Sequence, residues 1–190
     1  MRLFVSTPDQ LVLYPRAAWL PLCVDSGLFS TDVSPAFSGR VPVVLHIPSR
    51  RTPPIKGTQF IDPILKSLAC RGLIQYVSPE AVSHREMLRL MAQADVVIDQ
   101  LLVGAYGVTA VEAMALGRSV ICAVSDEVRR ALPEDPPLVT ATPETLEADI
   151  HELIGEPDRY SELAARGREY ARTWHDGRAS AAALAPFVAA

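Results

Sequence analysis

Between Gln100 and Gly117 the chain reads Gln-Leu-Leu-Val-Gly-Ala-Tyr-Gly-Val-Thr-Ala-Val-Glu-Ala-Met-Ala-Leu-Gly, which sets a glycine turn, a helix start and a carboxylate close together. Backbone N–H groups of Gly107, Val108 and Thr109 would open that helix, where unpaired donors and the macrodipole favour an anion. Glu112 follows about one turn later, at a reach suited to sugar hydroxyls. Upstream, Ser49-Arg-Arg-Thr-Pro-Pro-Ile-Lys-Gly57 places Arg51 and Lys56 in one basic loop. Arginine can grip phosphate oxygens through two donors, and lysine supplies a compact point charge. Together these residue types suit a ligand with a diphosphate and sugar hydroxyls, as in a nucleotide sugar.

Each of these residues also has a plainer role open to it. Arg51 and Lys56 fit a solvated basic loop. Thr109-x-x-Glu112 fits a capping box, in which the carboxylate would reach back to the Thr109 N–H and have fewer lone pairs for a ribose. Asp99 and Gln100 end a strand just before the glycine turn, where they could bond a base or sugar hydroxyl or simply close the turn. His46, at the mouth of an earlier strand, fits a satisfied structural histidine better than a donor or acceptor contact. His84, His151 and His175 read as surface or helix-end residues. No cluster has metal-ligand spacing, and no Ser, His and Asp pattern suggests hydrolysis, so no metal site is expected. The loop after Ile47 holds prolines where a dinucleotide binder would need Gly-x-Gly-x-x-Gly, which weighs against nicotinamide chemistry.

The elements that must position these residues follow from periodicity. The 190 residues are 49% hydrophobic, enough for a substantial core in one domain. A net charge of −4 gives no footprint for nucleic acid or an anionic membrane, so phosphate binding must be local. Short β-rich runs predict strands at Val43–Ile47, Ile74–Val77, Val96–Asp99, Val120–Val124 and Leu138–Thr140. Helices fit Gly57–Arg71, His84–Ala94, Val108–Leu116 and Pro143–Ile154. This alternation predicts an α/β fold, a Rossmann-like open parallel sheet with helices on both faces. In such a sheet ligands bind beyond the carboxyl ends of the strands, where both candidate loops fall.

Local signals support the helices. Ser83 with Glu86 suits a capping box, Gly117 suits a C′ position, and Thr142-Pro143 sets a cap before an N1 proline. Pro63 kinks its helix or makes Asp62 the true cap, the kink being the preferred outcome. Residues 1–40, with Pro8, Pro15, Pro21 and Pro35, read as a connector, although Leu3–Thr7 could form a strand. Asp158 to Ala190 reads as a helical end in two parts. Cys23, Cys70 and Cys122 are odd in number and widely spaced, as reduced thiols of a cytoplasmic protein would be. No secretory leader is recognisable, and no apolar run approaches the ~20 residues of a membrane span.

With these residues in hand, the chain from roughly Val43 to Phe187 resembles the C-terminal, donor-binding half of a GT-B-fold retaining glycosyltransferase, of the broad group headed glycosyltransferase family 1/4. By that resemblance Arg51 and Lys56-Gly57 would contact the donor diphosphate, with Gly107, Val108 and Thr109 at the helix start. Glu112, heading Glu-Ala-Met-Ala-Leu-Gly-Arg-Ser-Val, would bind the ribose hydroxyls. The first Glu of the family's signature falls on Gly104, and Asp99 or Gln100 would supply a substitute polar contact to the sugar.

The resemblance implies one half of a GT-B fold, with residues 41–190 as the nucleotide-sugar-binding domain and its C-terminal helices. Residues 1–40 resemble the crossover between the two domains. It implies transfer with retention, without metal or cofactor beyond the nucleotide sugar itself, and with a missing or separate N-terminal acceptor domain. Exposed apolar surface is then expected at Trp19, Phe29 and the final helix, inviting an acceptor-domain protein or a homo-oligomer. Gly104 keeps open an alternative, a non-catalytic nucleotide-binding or assembly subunit. An epimerase half or a phosphorylase-like domain rests on fold analogy alone.

Overall fold

The computed structural model describes residues 3–31, 36, 37, 39–48 and 55–188. The chain opens with a small unit in which β1 (Phe4–Val5) pairs in parallel with β2 (Ala18–Trp19), joined through α1 (Pro8–Leu13). Pro8 stands in the first turn of α1, where its missing N–H has no intrahelical partner to lose. A 3-10 turn at Ser26–Ser30, capped by Asp25, leads toward the main sheet.

That sheet holds β3 (Val43–His46), β4 (Gln75–Val77), β5 (Val96–Ile98) and β6 (Ser119–Ile121), all parallel, in the order β4-β3-β5-β6. The predicted strand at Leu138–Thr140 reaches β6 through a single parallel bridge, Ile121 to Val139. Alternating side chains divide the core into two layers, as the two-residue strand period requires. Leu45, Val97, Val120 and Cys122 face α3 (His84–Gln93) and α4 (Val108–Ala115), with Tyr170 and Ala171 of α7 (Pro157–Trp174) packed behind. Val44, Val96, Ile98 and Ile121 face α2 (Thr58–Cys70) and α6 (Leu146–Gly155), whose Leu146, Ile150 and Leu153 form the anticipated apolar stripe. The sheet is therefore covered on both faces, the α/β Rossmann-like arrangement that the alternation predicts.

Most local signals act as expected. Ser83 Oγ accepts from Glu86 N at 3.2 Å, but Glu86 turns its carboxylate to Arg89 and leaves the box half made. Gly117, at φ +66°, ends α4 in a Schellman motif: its N–H donates to Met114 O and the Arg118 N–H to Ala113 O. Helix α2 runs unbroken through Pro63, and its N-cap is Gly57, not Asp62. The Thr142-Pro143 signal does not open the helix: the N-cap of α6 is Thr145, and Pro143 lies in the turn before it, where the Thr142 carbonyl accepts the N–H groups of Thr145 and Leu146. The short helix α5 (Asp126–Ala131) was not anticipated, although Ser125 caps it by accepting from Val128 N. The C-terminal end is the two-part helix expected, α7 followed by α8 (Arg178–Val188).

The predicted exposure of Trp19 and Phe29 is not found. Both are partly buried, Trp19 against the rings of Trp174 and His175 and Phe29 beneath the Arg172 guanidinium. The final helix does expose Phe187, as expected, and further apolar surface lies at Leu13 and Tyr14 of the first unit and at Ile55, Leu102, Val103 and Val108 beside the sheet's carboxyl edge. All three cysteines are free, and among the described residues no helix is long and apolar enough to cross a membrane.

Topology decides where a site can form. The chain leaves β3 through α2 to pair β4 on one side, then returns through α3 to pair β5 on the other. The crossovers thus diverge between β3 and β5, and the crevice at their carboxyl ends is the topological switch point of the sheet.

Candidate functional site

Two loops meet at that crevice. The loop after β3 reaches the loop after β5 through the Leu101 N–H, which donates to Lys56 O at 3.0 Å. Lys56 Nζ then donates to Asp99 Oδ1 at 2.8 Å and to Thr109 Oγ1 at 2.9 Å. The other Asp99 oxygen accepts the Gly107 N–H at 2.9 Å. Lys56, Gly107 and Thr109 are therefore brought to one point, at the amino end of α4. Val108 and Thr109 lie in the first turn of α4, whose amides have no intrahelical acceptor. Arg51 lies outside the described residues.

Glu112 stands one turn into α4 and is buried, its side chain only 5% exposed. It takes no part in a capping box: the N-cap is Gly107, so Thr109 already lies inside the helix. Its Oε1 accepts from His84 Nε2 at 2.6 Å, while Oε2 is buried with no hydrogen-bond partner among the described residues. Burying a carboxylate oxygen without a partner is costly, so this atom is a ready acceptor for a ligand hydroxyl. His84, expected only as a surface or helix-end residue, is the contact that sequence reasoning missed. Its signal was the Ser83 cap, which starts α3 on the same edge of the sheet as α4.

The remaining candidates have different surroundings. His46 is fully buried: Nδ1–H donates to Ile98 O at 3.0 Å, which leaves Nε2 to accept the Thr58 hydroxyl at 2.8 Å. Burial holds this imidazole below its ordinary pKa, against the opposing Ile98 bond, so it stays neutral and ties β3 to the start of α2. Gln100 closes its own turn. Its amide nitrogen donates to Ala105 O and Ala123 O, and its oxygen accepts from Leu102 N and Val103 N, which fills the capacity of the side chain. Gly104 has φ +79°, and its carbonyl accepts from Ser125 N. An added Cβ would come no nearer than 3.9 Å to Ser125 Cβ, so it is the backbone conformation and not space that disfavours a carboxylate-bearing residue there.

Behind the glycine turn a buried relay fixes Tyr106. His175 Nδ1–H donates to Leu22 O at 2.8 Å, and its Nε2 faces Tyr106 Oη at 3.3 Å, itself 2.9 Å from Tyr170 Oη. The residue before Gly107 is thereby tied to the end of α7 and to the segment after β2. Among the described residues no group of three His, Cys, Asp or Glu side chains could hold a metal ion.

A sheet of this order, with loops converging at its switch point, defines an open Rossmann-like α/β domain. No family model matches the sequence, and no curated protein matches it. Solved structures do. Anabaena HepE in complex with UDP and glucose superposes with a TM-score of 0.69 at 16% identity, over 100% of this chain and 63% of that one. Sucrose-phosphate synthase from Thermosynechococcus elongatus gives 0.66 at 16%, over 97% and 57%. UDP-GlcNAc 2-epimerase from Neisseria meningitidis bound to UDP-GlcNAc gives 0.53 at 16%, over 81% and 46%. The architecture is that of one half of a GT-B glycosyltransferase fold, and the chain spans less than two thirds of the length of these proteins. At these identities the likeness is one of fold, and an epimerase shares it.

Proposed function

We propose that this chain is the donor-binding domain of a glycosyltransferase, which holds a nucleotide-diphosphate sugar and works with an acceptor-binding domain. The observation that carries the reading is the amino end of α4. Lys56 and Thr109 meet there, and about one turn on the buried Oε2 of Glu112 has no partner among the described residues. Lys56, Thr109, the first-turn amides and Arg51 would receive the diphosphate, and Glu112 a ribose hydroxyl. As the sugar leaves, negative charge grows on the nucleotide diphosphate, and these donors stabilise it without reorganising. Gly104 offers no carboxylate to the donor sugar, and the nearby Asp99 carboxylate already bonds Lys56 and the Gly107 N–H. The reaction needs no resident cofactor or metal in this reading. The bound UDP of HepE supports it by fold alone.

A second reading, a nucleotide-binding subunit without turnover, is favoured by Gly104 and by the Asp99 carboxylate standing among the phosphate donors. Calorimetric titration with UDP, GDP and ADP, with Glu112→Ala as control, tests both. Heat with none of the three excludes a nucleotide site. Hydrolysis or transfer from a sugar donor excludes the subunit reading.

A further inference from the structure

Glu112 and His84 together carry more than a generic ribose contact. The Glu112 carboxylate is nineteen-twentieths buried, yet its one partner among the described residues, His84, is 64% exposed on the surface above it. A carboxylate offers about four acceptor positions. Among the described residues one is filled, at Oε1, and none at Oε2. Glu86 pairs with Arg89 on α3, and Lys56 pairs with Asp99 across the crevice. His84 itself is held in place, because it is the first residue of α3 behind the Ser83 cap.

We propose that His84 is a positioning residue for nucleotide recognition, which fixes Glu112 through Oε1 so that Oε2 accepts a hydroxyl of the ribose diol. This rests on the nucleotide-sugar reading above and adds to it a residue on a different helix. Without His84 the buried carboxylate loses the hydrogen bond at Oε1 that fixes its rotamer, and it ceases to be a fixed acceptor.

The test is a double-mutant cycle, because two residues that act through one another are non-additive. The tightest binder of UDP, GDP and ADP is titrated into the wild type, His84→Ala, Glu112→Ala and the double variant. We expect His84→Ala to weaken binding about tenfold in the wild type and less than about twofold in the Glu112→Ala background. His84→Gln, which keeps an N–H donor, should recover binding to within about threefold. The 2′,3′-dideoxy form of the same nucleotide should bind wild type and His84→Ala alike. Equal affinity of His84→Ala and wild type for the ribonucleotide would overturn the proposal, and so would an equal loss in both backgrounds. If the wild type binds none of the three nucleotides, the nucleotide-sugar reading itself fails and takes this inference with it. His84→Ala leaves a buried carboxylate without its partner and should lower the melting temperature somewhat, so each variant is titrated well below its own melting transition, and the recovery by His84→Gln together with the 2′,3′-dideoxy comparison separates a positioning effect from unfolding.

Discussion

Lys56 and Asp99 form an ion pair at 2.8 Å whose side chains are only 12% and 2% exposed. The same carboxylate takes the Gly107 N–H at the amino end of α4. It therefore stands where a helix start and a lysine would otherwise attract an anion from solution. A diphosphate entering the crevice meets donors that are already aligned but partly neutralised.

Lys56→Ala removes the cation and leaves Asp99 buried without its counter-charge. Donor binding should fall about ten- to a hundredfold if Lys56 makes a charge-assisted bond to the diphosphate. Stability should also drop, by about 3–5 kcal/mol if the pair behaves as other buried pairs broken on one side. Calorimetry and denaturant unfolding measure the two effects separately. A nucleotide affinity that stays within about twofold of wild type would take Lys56 out of the site.

Asp99→Asn keeps an acceptor for Gly107 but removes the charge opposed to phosphate. Lys56 then presents its full charge, and the affinity for a nucleoside diphosphate should rise at low ionic strength, with the gain shrinking as salt is added. Titration at two salt concentrations checks this. Weaker binding at both would mean that Asp99 is needed to orient Lys56 more than it opposes the ligand.

His175 gives a pH dependence with a definite sign. Burial pushes its imidazole down to about 4, although donation to the Leu22 carbonyl works the other way. In the unfolded chain it would take up a proton near the ordinary value of about 6.5. Between these limits the unfolded state binds more protons, so stability is fully present above about pH 6.5 and is lost as the pH falls toward 4. The loss should reach on the order of 3 kcal/mol, with buried His46 acting in the same direction. Denaturant midpoints at pH 7 and pH 5 measure the first part of it, about 2 kcal/mol. An unchanged midpoint would show that the imidazole titrates alike in the folded and unfolded chain, and a rising one that it is protonated in the fold.

Gly104→Ala places a side chain at φ +79° and should cost about 1–2 kcal/mol by denaturant unfolding. Gly104→Glu, which puts a carboxylate where the resembling family carries one, bears the same backbone cost. A Gly104→Ala protein as stable as wild type would mean that the turn adopts another conformation.

How much of this was legible depends on the range of the interactions. The alternation of β-rich runs and amphipathic helices, the Ser83 and Gly117 signals and the glycine turn before α4 all follow from a few consecutive residues. Most appear in the structure within a residue or two of the expected places, while α6 starts three residues late, β6 ends three residues early and Leu138–Thr140 forms only a single bridge. The first unit was less legible, because strands of two residues such as Phe4–Val5 and Ala18–Trp19 carry almost no periodicity. Trp19 was expected at the surface because the ring that covers it, Trp174, arrives from far along the chain.

The residue types present at the crevice were written in the chain: a lysine after one strand, an aspartate after another, and a helix opened by glycine with a glutamate behind it. Their partners were not. Lys56 and Asp99 are 43 positions apart, and His84 and Glu112 are 28 apart. Each pair meets only because β3 and β5 lie side by side and α3 and α4 start from one edge of the sheet. Short-range patterning has a fixed period and can be read along the backbone. Which carboxylate faces which cation, and which oxygen is left bare, is settled by burial and strand order, and those exist only once the sheet has closed.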